Sequence, residues 1–476
     1  MQSRDWRSKL AGGAVVAALL PAAAVSAALL AAAGGAYAAE PPALPRRDSV
    51  PKLLRSIEFG DWGSAVVRFG DLNGDGQIEA LVAQEDASGG QNQIMITCLT
   101  AIDLEGKILW QVGKPDRRNV WTGGDTPIQI HDIDGDGQAE VIYQDPKSLL
   151  TILDGKTGKQ KRQVQLAGGH DCLLFADLMG SGRAQQMVVK DRYSNFWVYD
   201  AAQDFKLLWS KANVITGHYP INFDFNGDGK DELLVGYRLY APDGKILWSH
   251  DEFPSNREGH NDAVDVKDMD GDGRAEIALA TSQDAVLLDA DGKILFRKPM
   301  HHAQHAMIGR FRPDLPGKQA FYISREDAPG PGIAPKALEA IYTKSGELLW
   351  DNTKQKDADK DGTLTQAVVV ENWTGNPNEN FLALNRRGNA PPALLDGWGR
   401  EVAVFPFPPR AAQPAAAGGR GPRDLYTGYY VKHIDVYGDE REEILVYDEN
   451  RLWIYTNAAF REKVEWYNDN IYNGRK

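Results

Sequence analysis

The sequence predicts an all-β protein, a ring of eight four-stranded blades forming a β-propeller, with seven blades as the alternative count. Three observations predict it. A short acidic phrase recurs along the chain. A second phrase, a tight turn leading into an apolar strand that ends in an aromatic, alternates with the first. Helical periodicity is nearly absent after residue 50, where apolar runs follow turn residues instead.

The acidic phrase places oxygen side chains at positions 1, 3, 5 and 9 with glycine at position 6. Its full copies are Asp71, Asn73, Asp75 and Glu79; Asp132, Asp134, Asp136 and Glu140; Asp224, Asn226, Asp228 and Glu232; and Asp268, Asp270, Asp272 and Glu276. That spacing forms an oxygen cage for a hard cation, and it matches the first half of an EF-hand loop. An EF-hand leads into a helix, whereas here apolar runs such as Ala80–Val82 begin a strand. Calcium is therefore the expected cofactor, against the plainer reading of metal-free Asp-Gly hairpin turns.

Degenerate copies start at Asp177, near Phe311, at Glu371 and at Asp435. Anchors thus fall at 71, 132, 177, 224, 268, about 310, 371 and 435, giving central steps of 45, 47, 44 and about 42 residues. That is a blade period. The wider steps imply loop insertions, one of which is the low-complexity stretch 408–423. The alternating phrase includes Asp103–Trp110, Asp243–Trp248, Asp291–Phe296 and Ser345–Trp350, and reads as the outer hairpin of each blade, its aromatic packed in the core. A further acidic loop, Asp357, Asp359 and Asp361, reads equally as a calcium site or a solvated turn.

Arg4, Arg7 and Lys9 precede an apolar stretch to about Ala33, and Ala36-Tyr37-Ala38 supplies a small-x-small cleavage site. Residues 1–38 are read as a signal peptide, with an uncleaved membrane anchor as the alternative. A linker is expected at 39–54, the propeller at 55–460, and a tail at 461–476 that closes it. The protein is expected to be exported and monomeric. Net charge is −13, much of it in the acidic phrases, and no basic patch stands out, which disfavours a nucleic-acid partner. Cys98 and Cys172 allow one disulfide or two buried thiols.

Histidines gather just before the inner strands. His170, His218 and His260 precede three consecutive anchors, and His301, His302 and His305 precede the next. Glycine comes directly before three of them, as expected where backbone enters a crowded channel. The local reading is that each histidine caps its own blade. Four blades in succession favour a shared site at the channel mouth. Tyr219, Asp171, Asn261, Asp262, Trp121, Thr122, Lys190, Arg192, Tyr193, Arg257, Arg325, Tyr429, Tyr430, Lys432 and His433 approach the same zone, and its cations suit a polyanionic ligand.

On the acidic phrases, and on the stretch from His302 through His305 to Asp314, Pro316 and Gly317, the chain resembles the calcium-dependent rhamnogalacturonan lyases and, more widely, propellers with integrin-like FG-GAP/VCBS repeats. The resemblance covers roughly residues 55–460. It implies β-elimination on a uronic acid-containing polysaccharide. That reaction needs a group to neutralise the carboxylate, a base for the C5 proton and an acid for the leaving oxygen. From position in the chain alone, His260 or His218 is cast as base, Tyr219 as acid, and Arg257 or a channel calcium as the carboxylate clamp, with His170, His302 and His305 as further candidates. Two readings of other classes stand beside it. One is a non-catalytic propeller binding glycans or proteins at the cell surface. The other is a quinone-cofactor dehydrogenase, whose blades share Gly-Lys-x-x-Trp turns.

Overall fold

The computed structural model describes residues 42–44, 46–86, 94–119, 126–253, 260–300, 302–324, 338–354, 364–386, 391–406, 430–436, 438 and 440–459. The expected leader (1–38), the acidic loop 357–361, the insertion 408–423 and the tail 461–476 lie outside these residues. Among the described residues no helix is long and apolar enough to cross a membrane.

The described residues form eight four-stranded antiparallel sheets, with three short 3₁₀ segments among them. Blades 1 to 7 span residues 66–113, 128–165, 172–212, 221–249, 263–299, 303–351 and 364–404, and each is a simple meander. The count of eight is as the anchor spacing predicts. From blade 1 to blade 4, and from blade 5 to blade 8, the first strand of one blade lies beside the first strand of the next, as the inner strands of a propeller do.

Blade 8 is completed from the other end of the chain. Its order is Pro51–Glu58, Arg451–Asn457, Glu443–Tyr447, Tyr430–Ile434, with Pro51 opposite Asn457 and Glu58 opposite Arg451. The closing strand therefore falls partly within the expected linker 39–54. A strap before it is pinned to blade 7. Ser49 Oγ accepts from Trp373 Nε1 at 2.8 Å, and Arg46 pairs with Asp48 and Glu379 beneath the Phe381 ring.

The core lies between blades as well as within them. One cluster joins Ile57, Phe59, Val67, Phe69, Leu445, Tyr447 and Ile454 across blades 8 and 1. The aromatic phrase works as an inter-blade staple. Trp110 Nε1 donates to Gly155 O at 2.7 Å, Trp209 to Pro242 O at 2.9 Å and Trp248 to Ala290 O at 3.1 Å, each in the next blade's outer turn. The glycine of that turn lies on the indole. Gly292 has φ +81, and a Cβ there would come 2.7 Å from the Trp248 ring. Cys98 and Cys172 are buried free thiols in blades 1 and 3, which closes the disulfide alternative for this structure.

Candidate functional site at the channel mouth

The acidic turns follow the inner strands, as the sequence predicts, and Glu79, Glu140, Glu232 and Glu276 begin the second strands. In each turn the first carboxylate accepts backbone N–H groups. Gly74 and Gly76 donate to Asp71 at 2.7 and 2.9 Å, and Gly271 and Gly273 to Asp268 at the same distances. Asp132 and Asp224 repeat the pattern. The ninth residue has a role the sequence reading missed. One oxygen of each buried glutamate accepts the N–H of the turn's second residue: Leu72 at 2.7 Å, Ile133 at 3.0 Å, Phe225 at 2.9 Å and Met269 at 2.8 Å. In the degenerate blades 3 and 6, Gln186 and Gln319 do this for Leu178 and Arg312. The signal was present in part, since glutamine holds position 9 in the blade 6 phrase (Gln319) and position 10 in the blade 3 phrase (Gln186).

The other glutamate oxygen separates the turns into two kinds. Asn73 and Asn226 donate their amides to Glu79 and Glu232, each at 2.8 Å. Where position 3 is aspartate, a lysine bridges it to the glutamate. Lys161 reaches Asp134 at 3.0 Å and Glu140 at 2.6 Å; Lys344, from the next blade, reaches Asp270 at 2.6 Å and Glu276 at 2.7 Å. Burial, with Asp75 and Asp71 close by, pushes Glu79 up to about 7. Burial likewise raises Glu232 beside Asp228 and Asp224. Crowded carboxylates of this kind fit a cation. The turns of blades 2 and 5 have an ammonium within hydrogen-bond reach. One carboxylate oxygen from each of Asp132, Asp134 and Asp136, and from each of Asp268, Asp270 and Glu276, also lies within 4.8 Å of its fellows.

At the mouth, before the inner strands, the structure brings together His218, His260 and Asp262. The imidazole centroids are 5.0 Å apart. Both Nε2 atoms face Asp262 Oδ1, His218 at 3.6 Å and His260 at 3.5 Å. Tyr193 joins them. Its hydroxyl is 3.0 Å from His218 Nε2, and its ring centroid is 4.4 Å from that of His260. The backbone is built for this approach. His218 N–H donates to Asn261 O at 2.9 Å, and a Cβ on Gly217 (φ +65) would come 2.6 Å from the same oxygen. The Ser282 hydroxyl ties His260 O at 2.8 Å to Asp262 Oδ2 at 2.6 Å, and Gln304 Nε2 donates to Asp262 Oδ1 at 2.6 Å.

Electrostatics set the state of the cluster. Burial pushes His260 down to about 3, with His218, His302, Arg192 and Lys190 adding to the effect, so its ring is neutral across the physiological range. Its two nitrogens have no hydrogen-bond partner among the described residues. Burial raises Asp262, against the pull of Ser282, His218, His302 and Gln304. Behind the cluster, Lys190 is paired with buried Asp171, and Arg192 reaches the same carboxylate at 3.2 Å. One donor atom each from His218, His260 and Asp262 lies within 4.8 Å of the others, so the three residues could hold a divalent cation. The set has less oxygen than calcium favours.

The other candidates are less close. His302 lies near enough to bear on the electrostatics of His260 and Asp262, and sits in a left-handed turn (φ 48). His305 lies on the inner strand Ala303–Gly309, opposite Ile323. The backbone N–H of His170 donates to Lys190 O at 3.1 Å. Tyr219 is 48% exposed, its ring 5.9 Å from that of His218. Arg257, His301, Arg325, Trp121, Thr122 and Tyr429 lie outside the described residues. Ser282 and Gln304 carried no sequence signal, because only the folding of the blades brings them to Asp262.

Comparison with known proteins bears on this same stretch. Residues 249–379 match the family model "Rhamnogalacturonan lyase family 11, C-terminal domain", a segment holding His260, Asp262, Ser282, His302, Gln304 and His305. The chain is 24% identical over 438 residues to the rhamnogalacturonan endolyase YesW of Bacillus subtilis (strain 168), covering 82% of this chain and 66% of that protein. To the rhamnogalacturonan exolyase YesX of the same organism it is 25% identical over 304 residues, 59% of this chain and 47% of that one. It thus spans just under two thirds of the endolyase and under half of the exolyase. The solved rhamnogalacturonan lyase PL11 of Bacillus licheniformis shares the fold, with a TM-score of 0.57 and 18% identity over 89% of this chain and 78% of that one. The chain is a homologue of the rhamnogalacturonan lyases YesW and YesX, carrying in residues 249–379 a match to the family 11 C-terminal domain.

Proposed function

We propose that the protein is an exported, calcium-dependent lyase that cleaves a pectic, rhamnogalacturonan-type polysaccharide by β-elimination. The observation that carries this reading is the convergence of His218, His260 and Asp262 at one mouth, largely inside the segment that matches a lyase domain. The lyase likeness of the chain as a whole supports the substrate class. Export rests on the sequence of residues 1–38.

Elimination requires that the carboxylate beside C5 be neutralised, that the C5 proton be taken and that the leaving oxygen receive one. A divalent cation held by His260 and Asp262 would supply the neutralising charge and leave the His218 ring for proton transfer. The chain's own groups do the rest, with Tyr219, exposed beside the His218 ring, as the acid that protonates the leaving oxygen. Burial keeps His260 neutral with its lone pair free, and makes it a poor store for a proton near neutral pH. His218, next to a hydroxyl and less enclosed, is the better of the two for proton removal. Asp262, tied by Ser282 and Gln304, fixes where the two rings meet.

The test is a screen of purified protein against pectic and other acidic polysaccharides with calcium present, followed by the absorbance of unsaturated uronate. Activity on a rhamnogalacturonan, reduced at least about 100-fold in His218→Ala and in His260→Ala, is the expected result; general acid–base groups contribute about 10²–10⁴. Undiminished activity in both variants removes the casting. Binding without product in the wild-type protein would replace the enzyme with a glycan-binding propeller.

A further inference from the structure

Tyr193 sits where its backbone does not favour a tyrosine. It has φ +76, in the left-handed region that costs a residue with a Cβ about 1–3 kcal/mol. It also has cations on its ring face, with Lys190 Nζ at 5.7 Å and Arg192 Cζ at 5.1 Å from the centroid. Both cations are anchored to Asp171, which is 2% exposed. An ion-paired base of this kind holds the ring still from behind. From the front, the same ring touches both imidazoles. It meets His218 edge-on (84°, centroids 5.2 Å) and lies tilted over His260 (32°, 4.4 Å).

We propose that Tyr193 is a positioning residue of the channel-mouth site, its hydroxyl fixing the Nε2 edge of His218 and its ring fixing His260 so that both imidazoles converge on Asp262. The inference rests on the reading of that cluster as the functional site. Three features argue for it. Among the described residues His260 has no hydrogen-bond partner at either nitrogen, and packing against Tyr193 and the backbone bonds to Ser282 hold its ring. His218 lies 3.6 Å from Asp262, too far for a good hydrogen bond, so the 3.0 Å contact with the Tyr193 hydroxyl is its closest polar restraint of the two. The strained turn Asp191–Asn195 aims the side chain inward, with Asp191 accepting the N–H groups of Ser194 and Asn195 at 2.9 and 2.7 Å. Backbone strain held in place by such a turn is the usual mark of a residue fixed for function. A base oriented by a third group recurs in catalytic sites, and outer partners that orient metal ligands are worth about 10–100-fold in affinity or rate.

The experiment compares Tyr193→Phe, which keeps the ring and removes the hydroxyl, with Tyr193→Leu, which removes both. Two readouts are taken on each full-length variant: polysaccharide cleavage, and affinity for Mn²⁺ by calorimetry as a probe of the His218–His260–Asp262 cluster. Tyr193→Phe is expected to lower kcat about 10-fold or more with KM held within about twofold, and to change the Mn²⁺ affinity by a similar factor, at an unchanged melting temperature. Tyr193→Leu is expected to lose more on both counts. A structural role alone would lower the melting temperature and leave kcat and Mn²⁺ affinity of the folded protein intact, and that outcome overturns the proposal. If the wild-type protein cleaves nothing, the lyase reading fails, and the Mn²⁺ comparison still decides the role of Tyr193: equal affinities in wild type and Tyr193→Phe sink it.

Discussion

Lys432, on the inner strand of blade 8, makes plain how a residue's surroundings can be read as a stability curve. Burial pushes its ammonium down to about 8, and the nearby Arg68 guanidinium adds to this. Tyr447, raised by burial, stays protonated, and His433 beside it is held by Glu442 at 2.8 Å. An unfolded lysine titrates near about 10.4. Between about 8 and 10.4 the unfolded chain therefore binds more protons than the folded one, so stability rises with pH through that window. The melting temperature of the wild-type protein is expected to gain on that of Lys432→Met between about pH 7.5 and about pH 9.5. A constant difference between the two would show that the ammonium is not confined. Residues also mark what a sequence discloses. His218 and His260 were legible because they recur before successive anchors. Tyr193 stood only as one polar group among many, and Ser282 not at all, since nothing local links either to a histidine dozens of residues away.

The acidic turn is the element on which most of the architecture was legible. Its spacing gave eight anchors, and eight blades follow. Less legible was the division of labour inside it. The ninth residue clips the turn whether it is glutamate or glutamine, so its presence does not by itself signal a metal. The lysine bridges to Asp134 and Asp270 depend on tertiary placement, Lys344 lying in the neighbouring blade. On the proposal that calcium occupies these turns, with Kd on the order of 10⁻⁴–10⁻³ M, a tenfold excess of ion adds about 1.4 kcal/mol per site. Chelation is then expected to lower the melting temperature by several degrees. Lys344→Met is expected to enlarge that drop, because turn 5 loses its own cation and must rely on the ion. Identical melting curves with calcium and with chelator would mean that the turns stand on hydrogen bonds alone.

For the whole molecule, closure is the controlling feature. Ile57, 4% exposed, lies on the strand that completes blade 8, opposite Leu452, and packs into the cluster that joins blades 8 and 1. Ile57→Ala is expected to cost about 2–5 kcal/mol, read from the denaturant midpoint. A loss under about 0.5 kcal/mol would mean that the ring holds without this contact. The position of that strand was not legible. Residues 51–58 carry no acidic or aromatic phrase, and only their pairing with Arg451–Asn457 assigns them to a blade. The pairing has a consequence for how the chain comes into being. Asn457 bonds to Asp48 across 409 residues of sequence, so a segment synthesised early stays without its partner until nearly the last blade has emerged. Such distant pairing slows folding and prolongs the exposure of an open sheet edge. A nascent chain halted before residue 451 would present that edge of the last blade to any neighbouring strand, a hazard that ends once Arg451–Asn457 has emerged.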